Sequence, residues 1–388
     1  MAAARWNQSI SVDEEYYEEE IRKKQSGKSN IEMKKSIKSR DGKIEVKYDE
    51  VENVCICVVI YALLLYLLSH KLDTILKHTV YVFDEGVSQN IRSKLPSVFI
   101  RSRYPQSFKY KILRKIIRFN TALSRQIKHP YIKKASIYAQ DGTYPSILIG
   151  NNNYALLTDG PNFFTMHANN GSVYLENSIK KSKSIVGRME KIIYGAPFIS
   201  NLGNNSQCTQ IYLTEPNASP LLKDKELIIH SLKELWGKAE DEKKEFILYL
   251  FDITPDDISL LKTTPIFFFS QPCVVDGILT NTEYVGLLSK IFSKYDLTKL
   301  LVKTHPRDTF DYKKYFPEVK VFAKPVNMQL LSLLNLSFEK AVTIFSSAVF
   351  DLPENIEVDW FGVDIHPKIK QYMGDNCIPP RPYNQMSL

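Results

Sequence analysis

The chain is poor in cysteine, histidine and glycine, and each shortage narrows what it can be. Five cysteines among 388 residues, an odd number, do not make a disulfide framework and point to a reducing, cytosolic setting. Seven histidines fall in no Cys/His spacing that would hold zinc. Fifteen glycines are scattered, with no glycine-rich Walker loop, so neither metal nor ATP chemistry is indicated. Long hydrophobic runs are missing too. The longest uncharged stretch, Val54–Ser69 (VCICVVIYALLLYLLS), has 16 residues, short of the ~20 that span a bilayer. Residues 1–50 lack the ordered charged, apolar and small-residue regions of a secretory signal.

Apolar residues are plentiful, at 44 % of the chain with 12 % aromatic, which excludes wholesale disorder and collagen-like or low-complexity architectures. At roughly 100–200 residues per domain the length suits two domains. The net charge of +8 is unevenly placed. Residues 1–50 hold 11 basic and 11 acidic side chains and read as a charged, disordered extension, so the surplus lies in 51–388. Within it, Arg101–Lys134 carries 11 Lys/Arg and no Asp or Glu. Such one-sided clustering favours an anionic partner: a phosphorylated glycolipid, a membrane face or nucleic acid. Ile112, Leu113, Ile116, Ile117, Leu123 and Ile127 recur near helical spacing between Lys111, Arg114, Lys115, Arg118 and Arg125. That is an amphipathic basic helix, suited either to an anionic membrane surface or to packing its stripe on a sheet.

The hydrophobic peak divides by residue type. Val54–Ile60 is β-branched and suits a buried parallel strand, with Cys55 and Cys57 as core residues; Ala62–His70 is leucine-rich and suits a helix. Thr79–Phe83 completes a βαβ unit. Ala135–Ala139, Ser146–Ile149, Tyr154–Leu157 and Thr209–Leu213 follow as strands, and Lys223–Lys244 as a charged helical stretch. The alternation then restarts: strands at Phe246–Phe251, Pro265–Ser270, Lys299–Val302, Val319–Phe322 and Ala341–Phe345, with helices at Glu283–Tyr295 and Met328–Leu334. Two parallel-sheet α/β units follow, with their boundary near 255–265 and their ligand in the cleft at the strands' carboxyl ends. We divide the chain into the extension 1–50, a Rossmann-like domain 51–255, a second Rossmann-like domain 256–370 and a tail 371–388.

Three motifs fall where strands of the second unit end. Ser270-Gln271-Pro272 leads to Val275-Asp276-Gly277, a carboxylate on a glycine-permitted turn. Lys303-Thr304-His305-Pro306-Arg307-Asp308 presents an imidazole flanked by cations. Ser346-Ser347 stands before Ala348-Val349-Phe350, read as a helix start, where hydroxyls and backbone N–H groups would cradle a phosphate. Singly each is weak; a second His-Pro pair, His366-Pro367, shows how readily such pairs arise. Together they place a carboxylate, a histidine and a phosphate seat on one sheet rim.

FFFSQP…VVDG, KTHPRDTFDYKKYFP and TIFSSAVF, with IYAQDG…ILIG…LLTDGPNFF upstream, resemble the bacterial sialyltransferases of glycosyltransferase family 52, over roughly residues 52–365. The resemblance implies a GT-B-like fold, two Rossmann-like parallel-sheet domains facing across a cleft. It implies an inverting, metal-independent transferase that moves sialic acid from CMP-sialic acid, with no further cofactor, to a lipooligosaccharide or capsule glycan. The partners are then a nucleotide-sugar donor, a glycan or glycolipid acceptor and an anionic membrane surface through 101–134, with no nucleic acid and a homodimer left open. The setting is cytoplasmic, peripheral on the inner face of the inner membrane. In this scheme an acidic residue takes the acceptor's proton. Asp276 is the first candidate, Asp159 of Thr158-Asp159-Gly160 the second, and Asp84-Glu85-Gly86, which alone fits the family's double-acid-glycine form, the third. His305 stabilises the departing phosphate, Ser346 and Ser347 hold it, and Lys303, Arg307, Gly277 and Gln271 complete the donor side. Arg307 is alternatively an ion-pair partner of Asp308.

Overall fold

The hydrophobic peak splits as its residue types dictate. The structure is a computed structural model that describes residues 36–388 apart from 103–107, 161–162, 164–178, 181, 200–201, 215–221, 306, 325, 337, 347, 350–351, 354, 375–382 and 388; of residues 108–112 it describes the backbone alone. A hairpin of β1 (Ser36–Lys38) and β2 (Glu45–Lys47) opens the described chain. Strand β3 (Asn53–Cys57) is buried throughout and helix α1 (Ile60–Ser69) is buried from Tyr61 to Leu68, because apolar side chains cover the whole helix surface rather than one stripe. Its last carbonyls are not left orphaned: the Lys243 ammonium donates to Leu68 O (2.8 Å) and His70 O (2.6 Å). Helices of six residues or more are numbered here.

The first sheet is wholly parallel, in the order β5-β4-β3-β6-β7-β8-β9. Its further strands are β4 (Thr79–Phe83), β5 (Ser97–Phe99), β6 (Ser136–Ala139), β7 (Tyr154–Leu157), β8 (Cys208–Leu213) and β9 (Glu226–Ile229). Between them run α2 (Leu72–Lys77), α3 (Phe108–Lys128) and α4 (Ile185–Tyr194). Helices α5 (Leu232–Lys238), α6 (Asp241–Leu250) and α7 (Pro255–Thr263) lead to the second sheet, ordered β12-β11-β10-β13-β14-β15 and again wholly parallel. It comprises β10 (Ile266–Phe269), β11 (Leu300–Lys303), β12 (Lys320–Phe322), β13 (Lys340–Thr343), β14 (Glu357–Trp360) and β15 (Asn384–Gln385), with α8 (Asn281–Phe292) and α9 (Pro367–Met373). Each sheet reverses its strand order once, between β3 and β6 and between β10 and β13. Ligands of doubly wound sheets bind at such switch points, outside the carboxyl ends.

Several sequence expectations change. Residues 36–50, assigned to a disordered extension, form the β1–β2 hairpin, because Val46 is fully buried in the same core as Val51 and Val54. Residues 1–35 lie outside the described residues. Ser146–Ile149 is not a strand: Tyr144–Leu148 is a 3₁₀ turn in which Pro145 supplies the fixed φ and no donor. Phe246–Phe251 belongs to α6, since Lys243, Ile247 and Leu250 share one buried helical face. The charged stretch 223–244 hides the edge strand β9. The tail contributes β15 to the second sheet. Cys55 and Cys57 are core residues, their sulfurs 3.1 Å apart. Among the described residues no helix is long and apolar enough to cross a membrane.

Candidate active site

At the second sheet's switch point, the apolar strand Ile266–Phe269 ends on buried Ser270. The Ser270 hydroxyl donates to Asp308 Oδ2 (2.5 Å) and accepts the His305 backbone N–H (3.0 Å). It thereby ties the end of β10 to the loop after β11. Asp308 is gripped further: its Oδ2 accepts the Tyr312 hydroxyl (2.7 Å) and its Oδ1 the Phe310 N–H (3.1 Å). Tyr312 in turn meets the Tyr284 hydroxyl at 2.9 Å, deep between α8 and the loop. This buried chain of hydroxyls fixes where the histidine sits.

His305 Nδ1 accepts the backbone N–H of Arg307 (3.1 Å), which places the neutral ring's proton on Nε2. Partial burial, with the positive charges of Arg307 and Lys303, holds the imidazole below its usual pKa, although Asp308 and Asp276 oppose the shift. The resting ring is a neutral N–H donor. Lys303, the last residue of β11, is buried, and its ammonium donates to the Thr304 carbonyl at 2.8 Å. Burial pushes its pKa down to about 8, so an arriving anion would restore what desolvation removes.

Asp276 sits on a tight turn in which its N–H bonds Pro272 O and Gly277 N–H bonds Val274 O; Gly277 has φ +71°, where a side chain would strain the backbone. The turn delivers the carboxylate to Arg307, which holds both oxygens, Nη1–Oδ1 at 2.5 Å and Nη2–Oδ2 at 3.1 Å. This corrects one expectation: the partner of Arg307 is Asp276, and Asp308 is engaged by Ser270 and Tyr312 instead. The fork uses one lone pair of each Asp276 oxygen and leaves the other to accept a proton. The Gln271 carbonyl receives the Cys273 N–H (2.8 Å) and the Tyr284 hydroxyl (3.4 Å), so this residue anchors the turn through its backbone.

Ser346 is buried just beyond β13. Its N–H donates to Thr343 Oγ1 (2.9 Å) and its Oγ accepts the Ala348 N–H (3.4 Å). Of the helix expected from Ala348, residues 348–349 form a 3₁₀ turn, while 350–351 lie outside the described residues. Ser347 lies outside the described residues. The other histidine–proline pair is structural: His366 Nδ1 caps α9 by accepting the Lys368 N–H at 3.2 Å.

The two other acidic candidates stand at strand ends of the first sheet. Asp159 follows β7, and burial raises its pKa. Beside it Asp141, after β6, accepts the Tyr154 hydroxyl (2.6 Å) and the N–H groups of Leu202 (2.7 Å) and Gly203 (2.8 Å). Burial chiefly, with the Asp159 charge adding, pushes Asp141 up to about 6. Asp84, after β4, is bonded by the Ser102 hydroxyl at 2.8 Å, and Glu85 by the Ser102 N–H at 2.9 Å. At that sheet's switch point Gln140 Oε1 accepts the N–H groups of Val58 (2.8 Å) and Val59 (3.0 Å), closing the gap between β3 and β6. Sequence reasoning named Ser270 in a motif without a role and gave none to Tyr312, Asp141 or Gln140. For Ser270, Gln140 and Asp141 the available signal was a polar residue at the end of a strand; Tyr312 had none. Among the described residues no three His, Cys, Asp or Glu side chains gather as metal ligands.

Two parallel Rossmann-like sheets, with a polar cluster at the carboxyl ends of the second, define a GT-B-like α/β protein. The model of glycosyltransferase family 52 matches residues 92–368. An uncharacterized protein of Haemophilus influenzae is 33 % identical over 304 residues, covering 76 % of this chain and 90 % of that one. Among solved structures, an α/β-galactoside α-2,3-sialyltransferase from Photobacterium phosphoreum covers 86 % of this chain and 98 % of its own, at 13 % identity and a TM-score of 0.49. A sialyltransferase from Photobacterium damsela covers 83 % and 78 %, at 12 % and 0.47. The chain belongs to glycosyltransferase family 52. It is therefore a glycosyltransferase, acting between a nucleotide-sugar donor and a glycan acceptor.

Proposed function

We propose that this glycosyltransferase moves sialic acid from CMP-sialic acid, with inversion and without a metal, to a sugar hydroxyl of a lipooligosaccharide or capsule glycan. What supports the reading is the Nε2–H of His305 and the buried ammonium of Lys303, both from the carboxyl end of β11 and two residues apart, suited to a departing phosphate. In the reaction the acceptor hydroxyl attacks the anomeric carbon as the bond from that carbon to the phosphate oxygen breaks. The electron pair leaves with CMP, and the acceptor's proton passes to a carboxylate. His305 and Lys303 stabilise the charge appearing on the phosphate; the Ser346 hydroxyl completes its seat. Asp276 takes the proton on a lone pair that Arg307 leaves open, and Arg307 meets the donor's carboxylate with its remaining N–H groups. Asp159 is the competing base, favoured by the burial that raises its proton affinity. The loop after β12 supports the nucleoside: Asn327 caps the next turn through Oδ1, while its buried Nδ2 has no partner among the described residues and can donate to the base.

A screen of nucleotide-sugar donors with galactosyl and sialyl acceptors, read by mass spectrometry, tests the reading. CMP release and sialylated product, absent in His305→Ala, support it. Consumption of a uridine or guanosine donor instead would transfer the same site to another sugar. Asp276→Asn and Asp159→Asn decide between the bases, since only loss of the true base abolishes transfer while leaving CMP binding intact.

A further inference from the structure

A lysine holds the crossover between the two sheets from either side. Helix α6 ends in a Schellman turn, with the Asp252 N–H on Tyr249 O (3.1 Å) and the Ile253 N–H on Leu248 O (2.9 Å). Its left-handed position, normally a glycine's, is filled by Asp252 at φ +57°. An aspartate strains the backbone there, and its carboxylate has a use: it pairs with the ammonium of Lys94, just before β5. That ammonium is buried and also donates to the Tyr249 carbonyl (2.7 Å). On the other side, the Asp252 carbonyl and Asp257 Oδ2 both accept the ammonium of Lys324. Asp257 lies in the first turn of α7, where its Oδ2 also accepts the Thr254 N–H (2.8 Å) and hydroxyl (2.6 Å) in a capping box. Burial works against the carboxylate, yet Lys324 and Thr254 hold its pKa below the ordinary value. With the lysine 29 % and the aspartate 16 % exposed, the pair is better shielded than an ordinary surface pair.

Lys324 is the second residue past β12 and stands three residues before Asn327, whose buried Nδ2 can donate to the base. The Val326 N–H returns to the Lys324 carbonyl (2.8 Å), Val326 is buried, and Asn327 Oδ1 accepts the Leu330 N–H (3.2 Å). The path from the moored ammonium to Asn327 is therefore short and held along its length. We propose that Lys324 is a positioning residue for the donor nucleotide: it moors the loop after β12 to Asp257 and Asp252, so that Asn327 meets the base in a loop already ordered. Through Asp252 and Lys94 the same mooring reaches the segment that enters β5 of the first sheet. The role rests on the placement of the nucleoside against this loop. Its benefit is preorganisation, since a loop that need not be ordered on binding leaves more of the interaction energy as affinity. Two acceptors already hold the ammonium, so the lysine acts through the loop and not on the donor phosphate.

The test is calorimetric titration of cytidine monophosphate into the full chain and its variants, each checked by melting temperature. Lys324→Met should weaken CMP binding about tenfold, the loss expected when one loop must be ordered on binding. Donor KM should rise with it while kcat at saturating donor holds. Lys324→Arg, which keeps a cation facing Asp257, should bind more tightly than the methionine variant. Asp257→Asn should weaken binding too, and adding it to Lys324→Met should cost nothing more, since the methionine variant has already lost that contact. Thr254→Val removes the capping hydroxyl alone; it should lower the melting temperature and leave CMP affinity in place. Unchanged or tighter CMP binding by Asp257→Asn overturns the inference, because the freed lysine then meets the nucleotide itself. Equal weakening by Thr254→Val also overturns it, for then the start of α7 matters and the mooring does not. Asn327→Ala separates this role from the site it serves. If it weakens binding while Lys324→Met does not, the positioning role alone fails; if neither changes CMP affinity, the nucleoside lies elsewhere and its proposed seat fails as well.

Discussion

The shortest chain of cause in the site runs from Ser270 to His305. One hydroxyl accepts the histidine's backbone N–H and donates to Asp308, so the imidazole is positioned by a residue that need not touch substrate. Ser270→Ala should lower kcat about tenfold with little change in donor KM, the split expected of a misplaced donor group. His305→Ala removes the group itself and should cost about a hundredfold to ten-thousandfold in kcat/KM. Lys303 adds a pH signature. It carries its charge below about 8 in the free enzyme and loses it above. Donor KM should therefore rise above about pH 8 in the wild type, and Lys303→Met should raise KM at neutral pH and erase that inflection. The three motifs were legible because each lies in the loop that follows a buried strand, β10, β11 or β13. The pairing within them was not: Arg307 and Asp308 adjoin in sequence, yet the turn at Gly277 brings Asp276 to Arg307, a contact that spacing does not encode.

Among elements, strands with unmixed apolar runs were read within a residue or two, as Thr79–Phe83 and Ile266–Phe269 show. Misreadings came where one residue type served two structures. The run FILYL of residues 246–250 looks like a strand, but the Lys243 ammonium beneath it is drawn to the carbonyls ending α1, and the helix follows. Lys243→Met should strand those carbonyls and lower stability by about 1–3 kcal/mol, read from the urea midpoint. At the end of β4, a Cβ on Gly86 would stand 1.9 Å from the Val58 carbonyl oxygen of β3's loop. Gly86→Ala should thus cost about 1–3 kcal/mol, seen as a lowered melting temperature. Asp141 joins β6 to Tyr154 and to the turn at Leu202 and Gly203. Its folded-state pKa of about 6 exceeds the ~3.9 of an unfolded aspartate. The folded chain therefore binds the extra proton, and this contribution to stability is full below ~pH 4 and lost as pH rises through about 6. Asp141→Asn should flatten the stability profile across that window.

For the molecule as a whole, two wholly parallel sheets with one reversal each leave few places for a ligand, and the polar cluster occupies one of them. Composition and alternation made this architecture readable, because parallel strands covered on both faces are continuous apolar runs. The exposed apolar stripe of α3, Ile116, Phe119, Leu123 and Ile127, was not readable: the same periodicity describes a helix packed on a sheet and one turned away from it, and only the inward contacts of Arg118 with the Tyr144 ring and of Arg125 with the Ile147 carbonyl separate the two. The most direct measurement of the central claim is a crystal structure with bound cytidine monophosphate. Its phosphate should lie within hydrogen-bond reach of His305 Nε2 and Ser346 Oγ, beside the Lys303 ammonium, with the base near Asn327. A nucleotide seated at the strand ends of the first sheet, or anywhere that leaves His305 and Ser346 untouched, would contradict it.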